Sequence, residues 1–316
     1  MLITALLTAL ASAEPRLIAH RGLGQTFSLE GVTGTTCTAT RIHAPAHPHL
    51  ENTLAGIAAA FAAGADRVEI DIQPTADGQV AVFHDATLDC RTDGTGPIRA
   101  QTMDALRALD AGYGYTADGG ASYPLRGAVG QIPSLDEVLD AFPGGRFILE
   151  MKTRAPGDAA LVASVLAARP AAERAALWLL AAPEPGAEIE ARFPEIRTLS
   201  RSASVRCAKD YLKQGWRRVP ESCHSTVLFV PINRAWLLWG YPRRMSRRLA
   251  AVDTEVVLIG PWYRGEKHAR GVDEQRWANR IPRRFDGHVW TNRIDLLGAP
   301  SADDTLPKHH EPQQHR

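Results

Sequence analysis

From Arg16 onward, short apolar runs alternate with longer stretches of helical periodicity, the pattern of repeated strand and helix units around a parallel sheet. The candidate strands cover residues 16–20, 67–72, 147–151, 177–180, 196–199, 226–231, 255–259 and 288–291, which makes eight. A further β segment covers 79–83 and ends in His84 and Asp85. Helical spacing runs over 52–63, 134–141, 158–168, 203–212 and 273–279, with Pro or Gly closing many of the segments. Eight strands with intervening helices over roughly 280 residues predict a (β/α)8 TIM barrel, with a doubly wound open sheet as the rival. Two stretches break the rhythm, a Gly, Thr, His and Pro-rich loop at 24–50 and the turn-rich, aromatic segment 112–130. Loops of this length are uncommon in a compact domain unless they bind something, so each is expected to form a rim or lid over a site.

The chain ends fall outside this pattern. Residues 1–13, MLITALLTALASA, are apolar and close on Ala11, Ser12 and Ala13, the small-x-small pattern of a signal-peptidase site. Export to the periplasm or the exterior is expected, leaving a soluble single domain over 14–298. No apolar run reaches the roughly 20 residues that a membrane-spanning helix needs. The tail at 299–316 is polar and without periodicity and is expected to be disordered.

The 316 residues carry 36 Lys plus Arg against 35 Asp plus Glu, a net charge of +1, so no general electrostatic case exists for nucleic-acid binding. Charge is local instead: residues 201–250 hold eleven Lys or Arg and two acids, with Trp236, Trp239 and Tyr241 interleaved among the arginines. That mixture fits either a solvated rim helix or transient contact with membrane lipids. Four cysteines, Cys37, Cys90, Cys207 and Cys223, form no Cys-x-x-Cys pair, which argues against a zinc ribbon. Beside an export signal they point to disulfides; of the three possible pairings, the one within each half of the chain, Cys37 with Cys90 and Cys207 with Cys223, is favoured, with buried free thiols as the alternative.

In a parallel barrel the chemistry sits at strand C-terminal ends, so polar residues closing apolar strands are the ones to weigh. Glu69 and Asp71 are two apart on a strand and share a face, where their like charges repel. A divalent cation relieves that conflict, and Glu150 on the next strand would complete an all-oxygen site for Ca2+ or Mg2+. The alternative is a barrel-core ion cluster in which Glu69 pairs with Lys152 or Arg21. His20 and His84 directly follow strand-like runs and titrate near neutrality, as a general base and acid must. Arg21 and Lys152 add the fixed positive charge that a phosphate ligand requires.

The runs LIAHRG (17–22), ENTLAG (51–56), GADRVEIDIQPTADGQVAVFHD (64–85), LDCRTDGTG (88–96) and ILEMK (148–152) resemble the glycerophosphodiester phosphodiesterase family, within the superfamily of phospholipase C-like phosphodiesterases. FDGHVWTNRIDL at 285–296 is a weaker echo, resembling the last strand of the barrel. The resemblance implies a TIM barrel with a small inserted subdomain, for which 112–130 is the candidate. It also implies that Glu69, Asp71 and Glu150 bind the ion, that His20 is the base and His84 the acid, and that Arg21 and Lys152 hold the phosphate. Glu51 and Asn52 would support the site from the rim, and Trp262 and Phe229 are candidates to touch the glycerol or the leaving group. The implied substrate is a small glycerophosphodiester, cleaved to sn-glycerol 3-phosphate and an alcohol. A phospholipase D-like barrel acting on lysophospholipids or sphingolipids is the nearest enzymatic alternative, and a non-catalytic phosphodiester-binding barrel the third reading. Relative to the family the 24–50 loop is long, and a Cys37–Cys90 bridge would pin it beside the site.

Overall fold

The computed structural model describes residues 14–298 apart from 34, 156, 267 and 268, so the expected export signal at 1–13 and the tail at 299–316 lie outside the described residues. The strands are β1 (Arg16–His20), β2 (Ala65–Pro74), β3 (Val80–Val82), β4 (Phe147–Met151), β5 (Trp178–Leu180), β6 (Arg197–Leu199), β7 (Val227–Pro231), β8 (Glu255–Ile259) and β9 (His288–Thr291). Eight of them run parallel in the order β6-β5-β4-β2-β1-β9-β8-β7, while β3 folds back antiparallel on the end of β2. Because β1 pairs with both β2 and β9, the first and last strands meet, as in a barrel and not in an open doubly wound sheet. The barrel is nearly closed, with its seam between β6 and β7.

Period-two alternation sorts each strand into an outward and an inward face. Outward Leu17, Val68, Ile70, Leu149, Val256 and Leu258 bury against the helical layer, where Leu54–Ala62 contributes Ile57 and Ala60. Inward Ile18, Ile148, Leu199, Val227 and Val257 fill the lumen, with Phe229 and Trp290 packed on them. At the N-terminal mouth Arg67 is buried, donates to the Phe147 and Ala176 carbonyls and lies 4.0 Å from the centre of the Trp178 ring. Burial lowers its pKa to about 10. This end of the barrel serves stability; the C-terminal end carries the polar residues taken up below.

Of the helices of eight residues or more among the described residues, two have no counterpart in the periodicity. Pro183–Arg192 begins on two prolines that read as breakers, yet Pro is tolerated in a first helical turn where no intrahelical N–H bond is lost. Arg243–Ala250 buries only Met245, Ser246 and Leu249, too short an apolar stripe to register. No described helix is long and apolar enough to cross a membrane.

The 112–130 segment does not stand alone. Ala111, Tyr115, Leu125 and Ala128 share a second hydrophobic cluster with Ala39, Ile42 and Leu50 of the 24–50 loop and with Leu88, Ile98, Met103 and Leu106. The Cys37–Cys90 disulfide joins the two parts of this lobe, and Cys207–Cys223 ties helix Arg201–Gln214 to the approach to β7. Both bridges follow the pairing expected from the sequence. Closing a loop of sequence separation 53 restricts the unfolded chain, so Cys37→Ser with Cys90→Ser should cost about 4 kcal/mol in the chain-entropy view. Chemical denaturation checks this, and thiol titration of the denatured, unreduced chain should find no reactive thiol.

Candidate active site

Register creates the site. Pairing of β1 with β2 sets His20 opposite Glu69, and pairing of β2 with β4 sets Asp71 opposite Glu150. These inward-facing side chains therefore meet at the C-terminal mouth of the lumen. Carboxylate oxygens of Glu69, Asp71 and Glu150 all lie within 4.8 Å of one another. The imidazole of His20 has Nε2 3.7 Å from Glu69 Oε2.

The loops after the strands hold this cluster with unusual backbone. Arg21 sits at φ +62° and Asn52 at φ +58°, the left-handed region that is uncommon for an Arg. In that conformation the Arg21 N–H donates to Glu69 Oε2 at 3.0 Å, and its guanidinium Nε lies 3.1 Å from Asp71 Oδ2. That contact is an ion pair by distance, without hydrogen-bond alignment at Nε. Asn52 donates its backbone N–H to the Arg21 carbonyl, donates Nδ2–H to Asp71 Oδ2 at 2.7 Å and accepts from the Asp71 N–H at 3.0 Å. It therefore positions a carboxylate and does not face the rim. A Cβ on Gly56 would lie 2.3 Å from the Leu50 carbonyl, so only glycine lets the turn carrying Asn52 close onto the helix start.

Charge in the cluster is unevenly shared. Glu69 is fully buried and its Oε1 has no hydrogen-bond partner; burial, then Asp71 and Glu150, push its pKa well above the usual carboxylate range. Asp71 is equally buried, but Arg21 and Lys152 outweigh burial and lower its pKa. Lys152 Nζ bridges Asp71 Oδ1 and Glu150 Oε1, both at 2.9 Å, and its pKa is raised because those acids outweigh its burial. The structure thus contains the all-oxygen triad, while the Lys152 ammonium and the Arg21 guanidinium pair with Asp71 and Glu150 and not with Glu69, as the alternative had it. The buried, unpartnered Glu69 oxygen is an acceptor of the kind a hard cation takes.

His20 keeps 22% side-chain exposure toward the mouth, yet burial on its other sides and the neighbouring Arg21 lower its pKa to about 3. It is neutral at physiological pH. Its Nδ1 lies 2.6 Å from Asn292 Oδ1, just past β9, and Asn292 is itself held by Asp273 through bonds of 2.7 Å from N–H and from Nδ2–H. Strand-end reasoning picks out His20, Glu69, Asp71 and Glu150 but missed Asn292, although it closes β9 in the same way. Asp273 carries no local signal, since it reaches the site from the loop between β8 and β9.

His84 lies across the mouth. Its Nδ1 is 2.6 Å from Asp85 Oδ1, and Asp85 Oδ2 accepts from Arg91 Nε at 2.8 Å. Burial, then Arg21, lowers the His84 pKa, against the pull of Asp71 and Asp85. Arg91 is a buried hub that also donates to Glu51, Tyr115 and Thr38. Glu51 is therefore spent on Arg91 and not exposed at the rim. Because Cys90 precedes it, the disulfide anchors this hub and the 24–50 loop together. Trp262 is not brought to the cluster: it is 43% exposed, and its contacts are with Asn233 and Arg234. Phe229 lies in the lumen 6.1 Å from Trp290, which in turn lies 5.3 Å from His20.

Residues 20–173 match the model of the glycerophosphoryl diester phosphodiesterase family. A glycerophosphodiester phosphodiesterase of Caldanaerobacter subterraneus is 33% identical over 104 residues, covering 33% of this chain and 40% of that one. The matched segments span less than half the length of the curated relatives. In fold, the chain is similar to a glycerophosphodiester phosphodiesterase from Agrobacterium tumefaciens, with a TM-score of 0.57 at 22% identity over 90% of this chain and 99% of that one. It is also similar to an Oleispira antarctica phosphodiesterase solved with the product sn-glycerol-3-phosphate, with a TM-score of 0.52 at 21% identity over 92% and 97% of the two chains.

Proposed function

On the match of residues 20–173 to the glycerophosphoryl diester phosphodiesterase family model, we propose that this protein is a member of that family and hydrolyses glycerophosphodiesters to sn-glycerol 3-phosphate and an alcohol. The observation that carries this reading is one of convergence. A triad of hard oxygen donors, two of them fully buried, shares one barrel mouth with two histidines and two fixed cations, Arg21 and Lys152. The product held by the Oleispira antarctica neighbour supports a small-molecule substrate of the same class.

Glu69, Asp71 and Glu150 would hold Ca2+ or Mg2+, since every donor is a carboxylate oxygen. When bound, the cation supplies Lewis acidity and neutralises the three like charges. Neutral His20, with its Nδ1 on Asn292, takes the proton of the glycerol 2-hydroxyl at Nε2. The hydroxyl oxygen then bonds to phosphorus and the bond from phosphorus to the leaving alcohol breaks. His84, its imidazolium form supported by Asp85, gives that alcohol a proton. Water opens the resulting cyclic phosphate with the two histidines in reversed roles. Arg21 and Lys152 offset the charge that develops on the phosphoryl oxygens.

Export into an oxidising compartment, periplasmic or extracellular, belongs to the same reading and suits the two disulfides. Incubation with glycerophosphocholine should release sn-glycerol 3-phosphate and choline, EDTA should suppress the release, and added Ca2+ or Mg2+ should restore it. No product with either cation overturns the proposal. Choline release from lysophosphatidylcholine but not from glycerophosphocholine would favour the lysophospholipase D reading. Binding without turnover would favour a non-catalytic barrel, a reading already disfavoured because all seven candidate groups are present.

A further inference from the structure

The loops after β7 and β8 expose large apolar side chains that no described residue covers. Trp236 is 72% exposed, Tyr263 and Trp262 each 43%, and Leu237 42%. They are held as one surface. Asn233 donates Nδ2–H to the Trp262 carbonyl at 2.9 Å, accepts from the Trp262 N–H at 3.0 Å, and its carbonyl accepts from the Trp236 indole at 3.2 Å. Since β7 and β8 run parallel to β1, this surface borders the same mouth as His20, two to three strands along in the barrel order.

Charge around the patch has one sign. Residues 222–252 contain five Arg and no Asp or Glu. Arg234, Arg243 and Arg244 are exposed and have no carboxylate partner among the described residues, and Arg234 lies 5.9 Å from the centre of the Trp262 ring. Of the acids after β8, Glu266, three residues past Tyr263, is taken up by Arg270. Tryptophan and tyrosine have an apolar body and a polar tip, which suits the headgroup level of a bilayer, and arginines beside them complement anionic headgroups.

We propose that this rim docks on a bilayer surface bearing anionic lipid, with Trp236, Leu237 and Tyr263 entering the headgroup layer and the arginines flanking them. The inference goes beyond the phosphodiesterase reading and rests on it only in what the docking is for: the barrel mouth would face diesters at the membrane. The full chain should co-sediment with vesicles of phosphatidylcholine mixed with phosphatidylglycerol, and much less with phosphatidylcholine alone. Trp236→Ser with Leu237→Ser should lower the partition coefficient about 10-fold or more, and Arg243→Ser with Arg244→Ser about 10-fold at low salt. Both variants keep residues 1–13, so any lipid affinity of that segment cancels. Both should also melt like the wild type and hydrolyse soluble glycerophosphocholine at the wild-type rate. Vesicle binding unchanged in both variants overturns the proposal, as does no wild-type binding. A Trp236-dependent dimer in sedimentation velocity, without vesicle binding, overturns it in favour of a second copy. Vesicle binding in a chain that hydrolyses nothing would sink the phosphodiesterase reading and leave the docking surface standing.

Discussion

Glu69→Gln should make the cation-free protein more stable while lowering hydrolysis about 10³-fold. The two effects share one cause. Glu69 is fully buried with an unpartnered oxygen, and burial together with Asp71 and Glu150 raises its pKa well above 4.5. The unfolded chain releases this proton near pH 4.5, whereas the native state retains it to higher pH. Stability is therefore lost as pH rises from about 4.5 through the folded value. A neutral amide of the same shape avoids that loss. In EDTA near pH 8 the variant should gain on the order of 2 kcal/mol, about 5 °C in Tm, and the gain should shrink toward pH 5. The acid limb has a different origin: burial lowers the His20 pKa to about 3 and draws that of His84 below its ordinary value, while the unfolded imidazole protonates near 6.5, so stability falls as pH drops below about 6.5 in both proteins.

Added Ca2+ or Mg2+ reverses the order. A cation that binds only the native state stabilises it by about 2.7 kcal/mol at a hundred times its Kd. Wild type should show that rise and Glu69→Gln little of it. Scanning calorimetry with EDTA and with each cation measures both. A variant less stable than wild type in EDTA, and still responding fully to cation, would show that Glu69 is an ordinary buried acid.

Much of this was legible because the physics is local. Two-residue spacing puts Glu69 and Asp71 on one strand face, and parallel register adds Glu150. The Cys37–Cys90 pairing follows from proximity along the chain. What escaped depends on distant segments. Asn52 reads as a rim residue after a loop, but its left-handed backbone turns the amide onto Asp71. Glu51 reads as support from the rim until Arg91, forty residues later, takes its carboxylate. Trp262 follows a barrel strand, as a pocket residue does, yet Asn233 clasps its backbone and leaves the indole outside. In each case the element was predictable and the side chain's partner was not, because the partner is fixed only when the barrel closes.

The relay behind His20 shows the functional weight of such a partner. A carboxylate can only accept, so Asp273, taking N–H from the backbone and Nδ2–H from the side chain of Asn292, fixes which end of that amide faces His20. Oδ1 faces the ring at 2.6 Å, Nδ1 must therefore carry the hydrogen, and Nε2 is left as the base. Burial raises the Asp273 pKa while donation from Asn292 and Thr291 pulls it back, which is the balance expected of an acceptor kept in place by its donors. Asp273→Asn puts an amide where only an acceptor stood. Asn292 can then turn its NH2 toward His20, which selects the tautomer whose Nε2 is already protonated. Activity should fall about 10²-fold in kcat with KM unchanged, approaching the loss in His20→Ala. The fall should be much smaller for Asp273→Glu if the longer carboxylate still reaches Asn292. A role confined to packing would lower Tm and leave kcat per folded molecule intact. Full kcat in well-folded Asp273→Asn would mean that His20 takes its tautomer from something other than this relay.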